Sequence, residues 1–269
     1  MRAFVFLTFV FTCTLLSAQS QLTDIQIKEK LDSILIEGNL LYRYEKAAWI
    51  SIDLARENKS IKMDFFSYLV YHENDTVRTL ILNKKSECIY ELRFVFEFDN
   101  PISDVVLTRA LTTKEQNMVT TKTTIINKLI EQKIPVGCPD GYGLNMILMP
   151  KYDGFKFYII TGANKSGVIP FGNDFLFITD DTGNIQSWKK FHSRLIAQDS
   201  KGPNGEDVRE MTHSHLRTEP FITATDICTF KLYGKLCGQS SFQVYSPELG
   251  KNFRYTLDRN KIEIVEKDE

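Results

Sequence analysis

Along the chain, stretches whose apolar residues recur at helical spacing give way to stretches in which they alternate. Residues 21–58, "QLTDIQIKEKLDSILIEGNLLYRYEKAAWISIDLAREN", open with Thr23 and, three positions on, Gln26, the two partners of a capping box. Ile25, Ile27, Leu31, Ile34 and Leu35 then recur at helical intervals. Gly38 is expected to interrupt or end this helix, with "YEKAAWISIDLAREN" forming a second one. From Met63 the texture changes to short β-rich runs, "DFFSYLVYHE", "TVRTLILN", "CIYELRFVFEF" and "DVVLTRAL", separated by polar turn clusters. That spacing predicts a four-stranded antiparallel meander. "TKEQNMVTTKTTIINKLIEQ" favours a helix through Met118, Ile125, Leu129 and Ile130, in spite of its threonines.

"KIPVGCPDGYGLN" is the strongest loop signal in the chain. It divides an N-terminal lobe, residues 21–135, from a C-terminal lobe, residues 136–269, unless the two form one continuous domain. Beyond it, hairpins are expected around Tyr152-Asp153-Gly154 and around Asp181-Thr182-Gly183-Asn184. A polar loop, "QDSKGPNGED", leads to a strand over Val208–Leu216, a helix over "TATDICTFKLYG" and a closing hairpin over "SFQVYSPELGKNFRYTLDRNKIEIV". The fold class is therefore α+β: mainly antiparallel strands and hairpins, an N-terminal helical segment, two or three further helices, and no β–α–β crossover.

The first twenty residues change the setting. "MRAFVFLTFVFTCTLLSAQS" carries one arginine, an apolar and hydroxyl run from Ala3 to Leu16, and then small and polar residues, which predicts a secretory signal peptide over residues 1–20. The run is shorter than the ~20 residues of a membrane-spanning helix. Cleavage is expected after Ala18 or Ser20, leaving a protein without a membrane span, periplasmic or extracellular. The ending Leu15-Leu16-Ser17-Ala18-Gln19 resembles the signal peptides of exported Bacteroidota proteins. Export makes thiol pairing available to Cys88, Cys138, Cys228 and Cys237, with Cys228–Cys237 the most local pair and buried free thiols the alternative. A formal net charge of -1, with both signs interspersed, gives no electrostatic footprint for nucleic acid.

The candidate chemistry lies in "MTHSHLRTEPFITATDICTF", Met211 to Phe230. On a strand, His213 and His215 point to the same face. Thr223 stands where a helix starts, and Asp226 falls in its first turn, near enough to close on the same cation. His192 precedes them, so that three of the chain's 4 histidines fall within a short span, and a neighbouring strand could present it to the same point. Three histidines and an aspartate make a sound zinc set. Thr223-x-x-Asp226 is equally a capping box, which accounts for both residues with no metal.

The spacing resembles the JAMM (JAB/MPN) metalloprotease motif, His-x-His-Pro, six residues, Ser, two residues, Asp. Here Leu216 takes the place of the proline and Thr223 that of the serine. The resemblance implies that His213, His215 and Asp226 bind zinc with a water in the open position, and that Thr223 takes the serine's role beside the oxyanion. That family carries its catalytic glutamate on an upstream strand, and between Gln132 and Asn204 this chain has none. Glu219, close to the histidines in sequence, is the carboxylate offered for base chemistry. Two function classes follow: an exported zinc-dependent hydrolase, acting on an amide or similar bond in a peptide, or a non-catalytic envelope protein that binds another macromolecule and whose histidines hold a structural metal or none.

Overall fold

Residues 22–95 and 98–265 are described by a computed structural model. The expected signal peptide, residues 1–20, lies outside the described residues. Helix α1 (Asp24–Glu57) starts at the expected capping box, where the Thr23 hydroxyl accepts from the Gln26 backbone and the Gln26 side chain accepts from the Thr23 N–H. It does not stop at Gly38. Ile27, Leu31, Ile34, Leu41, Ala48 and Ala55 form one buried stripe that runs the length of the helix, so the expected pair of helices is a single one. The glycine is there for packing: a Cβ at position 38 would lie 2.7 Å from Ile227 Cβ, on the helix that crosses α1. Burial of that crossing outweighs the roughly 1 kcal/mol by which glycine disfavours a helix interior.

The meander follows as expected. β1 (Ser67–Glu73), β2 (Thr76–Leu82), β3 (Cys88–Phe94) and β4 (Ser103–Arg109) pair antiparallel in chain order. α2 (Thr113–Glu131) begins at a second capping box, Thr112 with Glu115. Then β5 (Tyr142–Lys151) and β6 (Gly154–Ala163) form the first expected hairpin, and β8 (Phe175–Thr179) and β9 (Ile185–Lys190) the second, in a sheet of order β5-β6-β8-β9. Gly154, at φ 135, closes the first turn in a backbone region that favours glycine.

Two further features depart from the sequence reading. β7 (Val168–Gly172), masked in the sequence by Pro170, pairs antiparallel with β10 (Leu195–Asp199) as a separate ribbon. And β11 (Met211–Ser214) pairs parallel with β12 (Ser241–Ser246), with α3 (Ala224–Tyr233) between them in sequence, so a β–α–β crossover is present. The strand expected over Val208–Leu216 shrinks to four residues. A run that short carries no readable periodicity, and an intervening helix is what lets consecutive strands align parallel. β13 (Lys251–Thr256) and β14 (Lys261–Val265) complete this sheet antiparallel, in order β11-β12-β13-β14.

Residues from both sides of position 135 enter each of the two apolar clusters. Leu41 and Ile81 share one with Tyr158, Phe171 and Phe242. Leu69, Cys88 and Ile125 share the other with Phe157, Phe175 and Phe177. The four cysteines named above are free thiols, Cys138 exposed and the others buried. No helix among the described residues is long and apolar enough to cross a membrane.

Gly38→Ala tests the crossing of α1 and α3. Alanine alone gains roughly 1 kcal/mol of helix propensity, whereas overpacking a tight contact loses about 1–3 kcal/mol. The expected outcome is a lower urea midpoint; a higher one would mean that Ile227 does not press on this turn.

Candidate metal centre

Four side chains from three separate segments converge. β11 alternates buried and exposed, so His213 faces inward, Ser214 outward and His215, one residue past the strand, inward again. His215 is held in register there by its own N–H, which donates to the Tyr245 carbonyl of β12. His192 comes from the bend between β9 and β10, and Asp226 from the first turn of α3. One ligand atom from each lies within 4.8 Å of every other. His192 Nε2 and His215 Nε2 are 2.9 Å apart, and His213 Nε2 and His215 Nε2 3.2 Å. Asp226 Oδ1 is 3.4 Å from both His192 Nε2 and His213 Nε2, and Asp226 Oδ2 is 3.2 Å from His215 Nε2. A tetrahedral ion with ligands at ~2.0–2.1 Å separates its donors by ~3.3 Å, so these spacings fit one.

The far side of each ring sets which nitrogen faces the centre. His192 Nδ1 lies 2.7 Å from Asp174 Oδ1, and Asp174 Oδ2 accepts from the Thr225 hydroxyl. His215 Nδ1 lies 3.2 Å from the Glu219 carbonyl oxygen. Carboxylate and carbonyl only accept, so in both rings the proton belongs on Nδ1 and Nε2 presents a lone pair. His213 Nδ1 has no hydrogen-bond partner among the described residues; that ring is held by packing, with Phe171 at 4.9 Å and Phe242 at 6.1 Å between centroids.

Asp226 is cap and candidate ligand at once. Its Oδ2 accepts from the Thr223 N–H at 2.9 Å and from the Thr223 hydroxyl at 2.7 Å, which completes the capping box. Its Oδ1 is buried with no hydrogen-bond partner among the described residues and is turned toward His192 and His213. The cap uses Oδ2, which also stands 3.2 Å from His215 Nε2, and leaves Oδ1 to face His192 and His213. Thr223 Oγ1 is also bonded to Thr225 Oγ1, and the Glu219 carboxylate is paired with Lys189 at 2.8 Å. The residues expected to be catalytic therefore act in this structure as cap and, through the Glu219 carbonyl, as orienter of His215.

Asp174 and Thr225 were not legible as site residues. Asp174 lies between "VIPFG" and "FLFIT", where an ionisable side chain must be buried and hence paired; that burial was its only sequence signal. The electrostatics follow from the same contacts. Burial pushes Asp226 up, but His192 and His215 overcome it and hold the carboxyl well below its ordinary range. Burial lowers His213, with Asp226 opposing. Burial also acts to lower His192, yet Asp174 and Asp226 outweigh it and raise the ring to about 9. Two lone pairs 2.9 Å apart repel unless a cation lies between them. In the metal-free protein a proton on His192 is that cation.

A pH dependence follows. The folded value for His192, about 9, exceeds the ordinary 6.5, so protonation stabilises the metal-free fold fully below pH 6.5, and the contribution fades as pH rises toward 9. Chelator-treated protein should lose stability on the order of a few kcal/mol across that window, and His192→Gln should remove this part of the slope. Metal-loaded protein should show the opposite trend, because ligation requires unprotonated imidazoles. Thermal melts at several pH values with and without chelator separate the two. No family model, curated protein or solved structure matches this chain, so the geometry of these four residues carries the functional reading.

Proposed function

We propose that His192, His213, His215 and Asp226 bind one zinc ion in a closed, structural site of an exported, non-catalytic protein. The observation that carries this reading is the buried, unpartnered Asp226 Oδ1 turned toward His192 and His213 in a cluster where the Nε2 atoms of three imidazoles meet. An uncompensated arrangement of that kind is strongly unfavourable in a low-dielectric interior, and a divalent cation compensates all four groups. Zinc is favoured over magnesium or calcium by the three-nitrogen, one-oxygen donor set, since those ions prefer oxygen.

Closure is supported by burial: the four side chains are 0–3% exposed. A hydrolytic zinc keeps one position for water, and four protein donors fill a tetrahedron. The JAMM-like order His213, His215, Thr223, Asp226 is the observation that favours the hydrolase as a second reading. It would require His192, which sits on a bend and not within a strand, to leave the ion during turnover. Export rests on the pattern of residues 1–20.

Purified mature protein should contain about one equivalent of zinc, and zinc should raise the melting temperature of chelated protein. His213→Gln and Asp226→Asn should both lose the metal, although asparagine can keep the cap by accepting from the Thr223 N–H. His192→Gln should weaken binding as much as His213→Gln. Zinc retained at full occupancy in His192→Gln, with peptide hydrolysis that chelation abolishes, would replace the structural reading with the hydrolase. Absence of zinc from all the proteins would overturn the site. N-terminal sequencing of protein recovered from the envelope or medium checks export; an intact residue 1–20 segment counts against it.

A further inference from the structure

A groove of about 410 Å³, away from the histidines, opens where β1, an edge of the meander, comes beside β5, an edge of the second sheet. α1 and α2 flank it through Ile52, Arg56, Val119 and Lys122. Its volume falls in the range of small-ligand pockets. Phe65, Phe66, Tyr68 and Leu144 make its walls apolar, and Phe66 is 64% exposed at its mouth. Its charged lining residues are Arg56 and Lys122, and no acidic side chain lines it among the described residues.

Lys122 connects the groove with the interior. Its Nζ stands 4.4 Å from the centroid of the Tyr68 ring, and the same side chain borders a cavity of about 10 Å³ beneath, which Glu45 also lines. Glu45 is 1% exposed, and its Oε2 has no hydrogen-bond partner among the described residues. Burial pushes the Glu45 carboxyl up to about 7, opposed by Trp49 and Lys122, and burial brings Lys122 down to about 8, opposed by Glu45. The ammonium therefore rests on an aromatic face, with a carboxylate nearby that does not hydrogen-bond to it. An anion entering the groove supplies a direct partner to a poorly solvated cation, where such a contact is strongest.

We propose that this groove binds an amphipathic anion, a medium- to long-chain carboxylate, with its head group on Lys122 and Arg56 and its alkyl chain along Phe65, Phe66 and Leu144. The walls bury the chain by the hydrophobic effect, and the two cations in the lining, with no acidic side chain among the described lining residues, select the sign of the head group. This reading is independent of the metal centre.

Titration calorimetry on the full mature protein tests it with dodecanoate and dodecyltrimethylammonium, which share a chain and differ in head-group charge. Dodecanoate is expected to bind once per chain, roughly tenfold or more tightly than the cation, as a hydrogen bond to a charged group implies. Lys122→Met should abolish the preference and Arg56→Gln reduce it. Arg56 is exposed, so the second variant remains informative if the first fails to fold. With carboxyl-labelled dodecanoate, NMR should show the bound carboxyl titrating at lower pH than the free acid. Equal affinity for the two probes, no binding of dodecanoate, an unshifted carboxyl, or a preference that survives in both variants would overturn the proposal. Binding to phosphatidylglycerol vesicles without binding of dodecanoate would also overturn it, in favour of a membrane surface.

Discussion

The C-terminal half of this protein is organised around one electrostatic constraint. A carboxylate and three imidazoles meet inside the molecule, and the arrangement is tolerable only if positive charge sits among them. Every segment that reaches the centre is fixed by a bond on its outer side. Asp174 holds His192, the Glu219 carbonyl holds His215, and Thr223 holds Oδ2 of Asp226. These outer partners aim the inner atoms at one another, which side chains free to turn toward water would not do. The convergence is therefore a property of the fold and not of the four residues alone.

Helix α3 ties that centre to the rest of the molecule. All of its residues except Lys231 are buried, because α1 covers one side and β7 another. Its first turn supplies Asp226 to the cluster and Thr225 to the supporting carboxylate, and its next residue, Ile227, fits against Gly38 of α1. A change in the packing of α1 on α3 thus moves a ligand. In the other direction, an ion bound by Asp226 and His192 links α3 to the bend between β9 and β10, and by His213 and His215 to an edge strand of a different sheet. A metal bound there would stabilise the same set of contacts as the core.

Asp226 also shows why ligand and cap need not compete. A carboxylate has two oxygens on opposite sides of its carbon, each able to accept twice. One oxygen caps the buried end of the helix and stands beside His215, while the other faces His192 and His213. A helix N-terminus favours negative charge, so the cap and the helix dipole both support the ionised form that a metal requires.

Local features of this chain were legible because local physics decides them. Capping boxes at Thr23 and Thr223 need only residues three apart; the hairpin turn at Tyr152-Asp153-Gly154 needs a residue tolerant of positive φ; the meander follows from alternation. The same-face geometry of His213 and His215 follows from strand periodicity, and their closeness in sequence to Asp226 and His192 marks the four as candidates for one cation. Gly38 misled because its cause is Ile227, a long way off in sequence. The parallel pairing of β11 and β12 misled because four residues are too few to carry a pattern. Asp174 was silent because nothing beside it in the chain marks the ring it orients. What the sequence determined by itself was most of the elements, though not the β7–β10 ribbon or the unbroken course of α1, and the shared face of His213 and His215. Which lone pairs point at each other, which oxygen of Asp226 is free and how deeply the centre is enclosed were decided only by tertiary structure, because direction and burial are set by residues distant in sequence.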